Sequence, residues 1–423
     1  MAWSGLDRTV RTRLARTRVY YGWVVVAGCF IGAMITFGTM YSFSVFFGFI
    51  ADAFQRSQSG TALVLSLQTV VTFGGAAGLG FVIDRYGTRR LFALAALVVG
   101  AGLVGVSQAP TFLGVVLAYG VVTAAGLGVV YVVSYATIPR WFERRRGFAT
   151  AVATSGAGVG IVVGPPLASA LIDRFGWQEA YLGLAVLVVA LLLLVAFLID
   201  DNPAAMDLDT GREFPTETPT TDSTGSWRAQ LDDVAAIATS RAFALAFLGY
   251  MLIGIPISIP AAHMVEFATS AGIGRQAGVL AVSVLGGMNV AGKFLVGPAA
   301  DRVGIPPALA ACSAFIGAGS IGMALAQTST VLLAVTVVFG LGYGGAIALL
   351  SPMLADLFGT ENLNALFGLT GITFAIAGSL APYLAGVGFD MFGTYTLVFL
   401  TAGAMGFLAS GVLLVSHRLA STA

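Results

Sequence analysis

Residues 279–302, VLAVSVLGGMNVAGKFLVGPAADR, form an apolar stretch that ends in a Gly-Pro pair and an Asp-Arg pair. Asn289 and Lys293 lie four residues apart within it, and this spacing puts both side chains on one face of a helix. Lys293 is the only lysine of the chain, because the other Lys+Arg positions are all arginine. An ionisable side chain at membrane depth is costly and usually faces a bundle interior or an aqueous cavity. The stretch predicts a membrane-spanning helix that directs one ammonium group into the protein.

The composition of the whole chain indicates a membrane protein. Hydrophobic residues make up 57% of the sequence and charged residues 10%, with a mean hydropathy of +0.91, whereas soluble domains are about a quarter charged. The arginines are scattered over loop-like positions and do not indicate nucleic acid. The sequence contains no metal-ligand cluster, nucleophile elbow or acid pair, so we expect neither an enzyme nor a bound cofactor. Cys29 and Cys312 lie in separate apolar runs and predict free thiols.

Apolar runs of about 20 residues, the length that crosses a bilayer, recur along the sequence. They predict an all-α membrane protein with twelve transmembrane helices. The predicted spans are 20–49, 60–83, 91–107, 112–138, 148–172, 179–199, 242–268, 276–299, 308–325, 331–355, 363–388 and 395–416.

A polar segment divides these spans six and six. Residues 200–240 hold nine acidic residues and two arginines, a composition that cannot bury enough apolar surface to fold alone. We therefore predict an N-terminal six-helix bundle with a basic leader over 1–199, an acidic linker over 200–240, and a C-terminal six-helix bundle over 241–423. Arginine clusters in the N-terminal tail and after spans two and four place both termini and the linker in the cytoplasm by the positive-inside rule.

An internal repeat relates the two bundles. The pattern Gly-x-x-x-Asp-Arg-x-Gly occurs at 80–87 and again at 297–304, an offset of 217 residues. The same offset carries Pro165 onto Pro382, and Asp-x-Phe-Gly at 173–176 onto 390–393. Three separated matches at one offset indicate two related six-span bundles, a parallel repeat that places a substrate site between the halves near the bilayer midplane.

These motifs resemble those of the major facilitator superfamily over essentially the whole chain. Within that superfamily the sequence is similar to the monocarboxylate transporters and their prokaryotic oxalate/formate antiporter relatives. The residues that carry this similarity are Tyr21-Gly22-Trp23, Ser44-Val45-Phe46-Phe47, the run PRWFERRRG at 139–147, and Asp390-x-x-Gly393-x-Tyr395. The resemblance implies a transporter that works by alternating access.

The resemblance also implies a role for span eight. In these relatives that span bears a cation, usually Arg, which pairs with the substrate carboxylate one turn after an Asp or Asn. Lys293 and Asn289 occupy those positions here. Animal-type members have an Asp in place of Asn289 and a lysine near the segment that holds Tyr41, so a proton-coupling scheme built on those groups does not carry over. No acidic residue lies deep in a predicted span, which suggests that an anionic substrate completes the ion pair.

Further candidates come from other spans. Tyr131 and Tyr343 lie in regions that line the cavity of similar transporters, and each is either a substrate ligand or a core or interface aromatic. His263 is either a substrate-binding group or a core histidine bonded across helices, and Tyr41 and Phe374 are additional cavity candidates. The pairs Asp84-Arg85 and Asp301-Arg302 are expected to act as cytoplasmic latches. The glycines at 156–164 are attributed to close helix packing rather than to a phosphate loop.

The sequence therefore predicts a plasma-membrane carrier, functional as a monomer, that moves a small organic anion of the lactate or pyruvate type. Lys293 would supply the charge and Asn289 would orient the substrate. The alternatives are that Lys293 snorkels to the cytoplasmic surface or pairs internally, and that Asn289 only bonds to a neighbouring helix. An oxalate/formate-type exchanger, an efflux carrier for a hydrophobic compound and a transport-derived receptor are the alternatives. Whether a proton is co-transported stays open at this point, with His263, Lys293 or the substrate itself as carriers. Membrane lipid is the other expected partner, and nucleic acid is not.

Overall fold

The computed structural model describes residues 21–74, 87–138, 141–142, 146–199, 227–359 and 362–420. Long apolar helices fill these ranges. In chain order the helices are α1 Gly22–Ala53, α2 Gln58–Thr69, α3 Thr88–Ser107, α4 Phe112–Leu117, α5 Ala124–Ala136, α6 Arg146–Phe175, α7 Trp177–Leu198, α8 Trp227–Ala238, α9 Arg241–Ser270, α10 Arg275–Val303, α11 Ile305–Ala324, α12 Ser329–Phe358, α13 Leu363–Phe392 and α14 Thr396–Ala420.

The predicted all-helical membrane architecture is confirmed. Within the described ranges, eleven helical segments are long and apolar enough to cross a membrane. The second predicted span begins as α2 and continues as a π-helical segment, Val70–Gly74, and the rest of it lies outside the described residues. A second π-helical segment, Ala118–Thr123, joins α4 to α5 in one span. The short helix α8 lies within residues 200–240, the segment that the sequence predicts to be a linker.

The described residues form two compact units. One unit lies within Met1–Thr39, Val71–Gly160 and Leu171–Thr220, and the other within Met40–Val70, Ile161–Ala170 and Thr221–Ala423. In the first unit α3 packs along α7, and in the second α10 packs along α12, α11 along α14, and α9 along α13. Large apolar side chains such as Leu97 and Val186 are exposed, as expected for helices whose outer faces contact lipid.

The two copies of the sequence repeat share their local backbone. Gly87 and Gly304, at the same position of the repeat, have φ of 78° and 92°. Each directly precedes a helix, α3 and α11 respectively. The pair Gly176 and Gly393 also has positive φ, 88° and 67°, but ψ is 164° at Gly176 and 10° at Gly393, so these two turns differ. L-residues rarely adopt positive φ because their Cβ is crowded there. Glycine therefore suits all four positions, and the same turn is kept at Gly87 and Gly304, where ψ is 154° and 152°.

The glycines at 156–164 hold α6 close to α1 in the first unit. A Cβ on Gly156 would lie 2.1 Å from the carbonyl oxygen of Phe30, and one on Gly160 would lie 2.1 Å from that of Met34. The absence of a side chain therefore lets the two backbones touch, which is the usual role of small residues between membrane helices. The sequence-based attribution of these glycines to packing agrees with this geometry.

The Gly160→Ala variant is expected to lower stability by about 1–3 kcal/mol, because the added methyl group meets backbone atoms that cannot rotate away. The measurement is the midpoint of thermal denaturation of purified protein in detergent. Gly411→Ala is the matched control. A Cβ at this helical glycine has no neighbour within 4 Å, so the change should raise stability by about 0.5–1 kcal/mol through helix propensity. Equal behaviour of the two variants would contradict the packing role.

Candidate functional site

Asn289 and Lys293 lie one turn apart on α10, in the second unit. Asn289 is 2% exposed and Lys293 is half-buried. The turn that holds them packs on the glycine-rich face of α12, where a Cβ on Gly344 would lie 2.0 Å from the backbone oxygen of Asn289. Gly292 makes a similarly close approach to Leu341. This close packing holds the turn of α10 that carries Asn289 and Lys293 against α12.

The structure brings Tyr41 and Tyr343 together. Their hydroxyl oxygens lie 3.5 Å apart, and both side chains are buried. Tyr343 directly precedes Gly344, the glycine that packs on Asn289. The second unit thus contains the Asn289 amide and the Lys293 ammonium on α10, and the paired hydroxyls of Tyr41 on α1 and Tyr343 on α12. Such groups can form the charge-assisted and neutral hydrogen bonds that bind a carboxylate.

Tyr131 packs among aromatic side chains, and Phe374 packs beside a glycine. Tyr131 lies in the first unit, where its ring centroid is 5.0 Å from that of Phe73 and 4.6 Å from that of Tyr135. Phe37 completes this half-buried cluster, 6.4 Å from Tyr131. Phe374 is half-buried on α13 beside Gly254. The substrate roles of Tyr131 and Phe374 stay predictions.

His263 is fully buried and both of its ring nitrogens are hydrogen-bonded within the protein. Nδ1 lies 2.9 Å from the Tyr395 hydroxyl, and Nε2 lies 2.8 Å from the carbonyl oxygen of Pro382. The ring of Phe47 covers the imidazole at a centroid distance of 4.9 Å. These contacts are those expected of a core histidine bonded across helices, and a role of His263 in substrate binding stays a prediction.

The network around His263 contains residues to which the sequence analysis gave no role. The Tyr395 hydroxyl lies 3.2 Å from Gln58 Oε1, and Gln58 Nε2 lies 3.4 Å from Glu266 Oε1. The carboxylate of Asp390 accepts hydrogen bonds from the backbone N–H groups of Gln58 and Ser59, each at 2.9 Å. Asp390 therefore accepts hydrogen bonds from two backbone N–H groups at the start of α2, where N–H groups have no partner within the helix. The sequence offered one signal for this network, the motif Asp390-x-x-Gly393-x-Tyr395. That motif indicated a family resemblance but did not indicate that its residues contact Gln58 or His263.

The predicted latches are only partly within the described residues. Asp84 and Arg85 lie outside them. Asp301 and Arg302 are exposed in the last turn of α10, directly before the positive-φ Gly304. Their role as a latch stays a prediction.

Known proteins are similar to this chain over most of its length. The model of the Major Facilitator Superfamily matches residues 29–328 and 242–421. Monocarboxylate transporter 12-B of Danio rerio is 26% identical over 94% of this chain and 87% of its own length. Monocarboxylate transporter 11 of Homo sapiens is 28% identical over 91% of this chain and 80% of its own length.

A solved structure with the same fold is that of a bacterial homologue of the human lysosomal transporter Spinster, in an inward-facing and unoccupied conformation. It matches with a TM-score of 0.72 at 14% identity, and covers 94% of this chain and 98% of its own. The predicted family is confirmed by these matches. The chain belongs to the major facilitator superfamily, is a multi-pass membrane transporter and not an enzyme, and resembles the monocarboxylate transporters of that superfamily.

Proposed function

We propose that this protein is a secondary transporter of a small monocarboxylate in the plasma membrane, with Lys293 pairing the substrate carboxylate. The observation that carries the proposal is the single lysine of the chain, set half-buried in α10 one turn after the buried Asn289. An ammonium and an amide can together donate hydrogen bonds to the two oxygens of a carboxylate. Similarity to proteins named monocarboxylate transporters over nine-tenths of the chain supports this substrate class.

The remaining polar groups of the second unit would orient the substrate. The hydroxyls of Tyr343 and Tyr41 can donate hydrogen bonds to a carboxylate oxygen or to a substituent on the next carbon. A single intramembrane lysine suits one carboxylate better than two, so the proposal favours a monoanion such as lactate or pyruvate over oxalate. Transport would proceed by alternating access between the two repeat halves, with both termini in the cytoplasm.

Uptake into proteoliposomes tests the proposal. Purified protein is reconstituted and supplied with labelled lactate, pyruvate, acetate, formate or oxalate, with protein-free liposomes as the blank. We expect saturable uptake of at least one monocarboxylate and competition by other monocarboxylates. Saturable uptake of oxalate alone would favour the anion exchanger. Uptake of none of these acids would overturn the proposal and direct attention to efflux of a hydrophobic compound.

A further inference from the structure

A chain of hydrogen bonds joins four elements of the second unit around His263. It runs from Glu266 on α9 to Gln58 at the start of α2, then to Tyr395 directly before α14, and back to His263 on α9. Its last contact is from His263 Nε2 to the carbonyl oxygen of Pro382 on α13. Glu266 is half-buried at one end and His263 is fully buried at the other.

The hydrogen positions in this chain follow from which groups can donate. A backbone carbonyl only accepts, so the Nε2 atom of His263 that faces Pro382 must carry a hydrogen. In a neutral imidazole the other nitrogen, Nδ1, is then an acceptor. The Tyr395 hydroxyl has one hydrogen and two neighbours, Nδ1 and the Gln58 amide. It can donate to only one of them.

Two arrangements satisfy every contact. In the first, His263 is neutral, Tyr395 donates to Nδ1, and the Gln58 amide group donates to Tyr395. The carbonyl of Gln58 then faces Glu266, which must be protonated to donate to it. In the second, His263 is an imidazolium that donates to Tyr395, Tyr395 donates to Gln58 Oε1, and the Gln58 amide donates to an ionised Glu266. The two arrangements also differ in the orientation of the Gln58 side-chain amide, whose oxygen and nitrogen exchange places between them.

Each complete arrangement contains one proton beyond the neutral imidazole and the carboxylate. Without that proton, one contact of the chain pairs two acceptors or two donors, and an unsatisfied buried polar group is costly. We infer that Glu266 and His263 form a proton-binding site whose two ends are linked through Gln58 and Tyr395. The site holds its proton either on the Glu266 carboxyl or on His263 Nδ1.

The exchange between the two arrangements is balanced. The O–H bond of Glu266 breaks, an N–H bond forms at Nδ1, the Gln58 side-chain amide turns over, and the Tyr395 hydroxyl reverses its direction. The net charge of the Glu266–His263 pair is zero in both arrangements: both groups are neutral in the first, and a carboxylate faces an imidazolium in the second. No electrons are transferred. Water is the donor or acceptor only when the site as a whole gains or loses its proton, at the half-buried Glu266 end.

Charged groups surround the site on several elements. Asp390 on α13 interacts electrostatically with both His263 and Tyr395, and Asp52 on α1 interacts with Glu266. The proton affinity of the site therefore reflects the carboxylates of Asp390 and Asp52 as well as the four linked side chains.

The inference rests on the proposed function for its role in transport, since it supplies the co-transported ion. Gln58 is held at the start of α2 by Asp390, whereas Glu266 and His263 belong to α9. A movement of α2 away from α9 would remove the link between the two proton-binding groups. Proton binding would then favour the protein conformation in which the start of α2 stays packed against α9 and α13.

The transport test compares two modes of uptake in proteoliposomes. Exchange at equal pH on both sides needs no proton movement, whereas accumulation driven by an inward proton gradient does. For one proton per monoanion, a gradient of one pH unit supports about tenfold accumulation. In Glu266→Gln we expect exchange to persist and gradient-driven accumulation to be lost. Glu179→Gln, an exposed carboxylate on α7, is the matched control and should accumulate like the unmodified protein. Full accumulation by Glu266→Gln would overturn the inference.

A second test needs no substrate and so separates this inference from the proposed function. The chain has two histidines, His263 and His417, so in a His417→Asn background the ¹⁵N-histidine NMR signal reports on His263 alone. We expect Gln58→Leu, which leaves both titrating groups in place, to change the proton affinity of His263 by about tenfold. Glu179→Gln should leave it unchanged. An unchanged affinity in Gln58→Leu would overturn the linked site even if the unmodified protein transports a monocarboxylate.

Discussion

Replacement of Lys293 by alanine is expected to lower monocarboxylate uptake at least about thirtyfold at subsaturating substrate. Loss of one partner of a desolvated charge pair costs about 2 kcal/mol or more, and 1.4 kcal/mol is tenfold. The ammonium group is the one lysine charge of the chain, and it sits half-buried beside a buried amide. The measurement is the initial rate of labelled lactate or pyruvate uptake into proteoliposomes, normalised to the reconstituted protein.

Two further variants give this experiment its controls. Lys293→Arg retains the charge and should keep measurable uptake with an altered KM, because a planar guanidinium binds carboxylates in a different geometry. Arg241→Ala removes a cation from the exposed start of α9 and should transport like the unmodified protein. If Lys293→Ala takes up substrate as fast as Arg241→Ala, the substrate carboxylate does not bind to Lys293 on α10.

The second large effect is expected for Trp141→Ala. Trp141 is 0% exposed and its ring centroid lies 5.5 Å from that of Tyr21. Its neighbour Phe142 contacts Trp23 in the same way, at 5.1 Å. Truncation of a buried tryptophan to alanine leaves a cavity and typically costs about 3–5 kcal/mol. We expect a strongly lowered midpoint of thermal denaturation in detergent and a reduced yield of folded protein.

The control for this variant is Trp177→Ala. Trp177 opens α7 and is only partly buried, with its ring 6.4 Å from that of Tyr181. Its removal should lower the midpoint much less than the removal of Trp141. Similar losses at both positions would mean that tryptophan content, and not the buried cluster around Tyr21, determines stability.

The fold was predictable because its strongest signals are local. Long apolar runs determine where spans lie, and α9, α10 and α12 begin and end within a few residues of their predicted bounds. The two motifs at 21–23 and 139–147 were noted only as marks of resemblance. The structure shows why they occur together, since Tyr21 and Trp23 pack against Trp141 and Phe142 in one buried cluster.

The polar network was not predictable from the sequence. Gln58, Glu266 and Asp390 stand near the ends of their spans, where polar residues are usually solvated. Their hydrogen bonds join residues separated by 208 to 337 positions in the chain, and spacing within one helix gives no information about such contacts. The pairing of Tyr41 with Tyr343, 302 positions apart, was missed for the same reason, although both had been selected individually.

The repeat has a consequence for the history of the molecule. Gly87 and Gly304 preserve one turn in two copies, as expected after duplication of an ancestral six-helix gene. Counted back by 217 positions, however, Asn289, Lys293 and His263 correspond to Thr72, Ala76 and Phe46. The copies share this turn, but the side chains of the proposed carboxylate and proton sites at these positions are present only in the second copy. Under the proposed function the halves would be paralogues of which only the second diverged toward ion recognition.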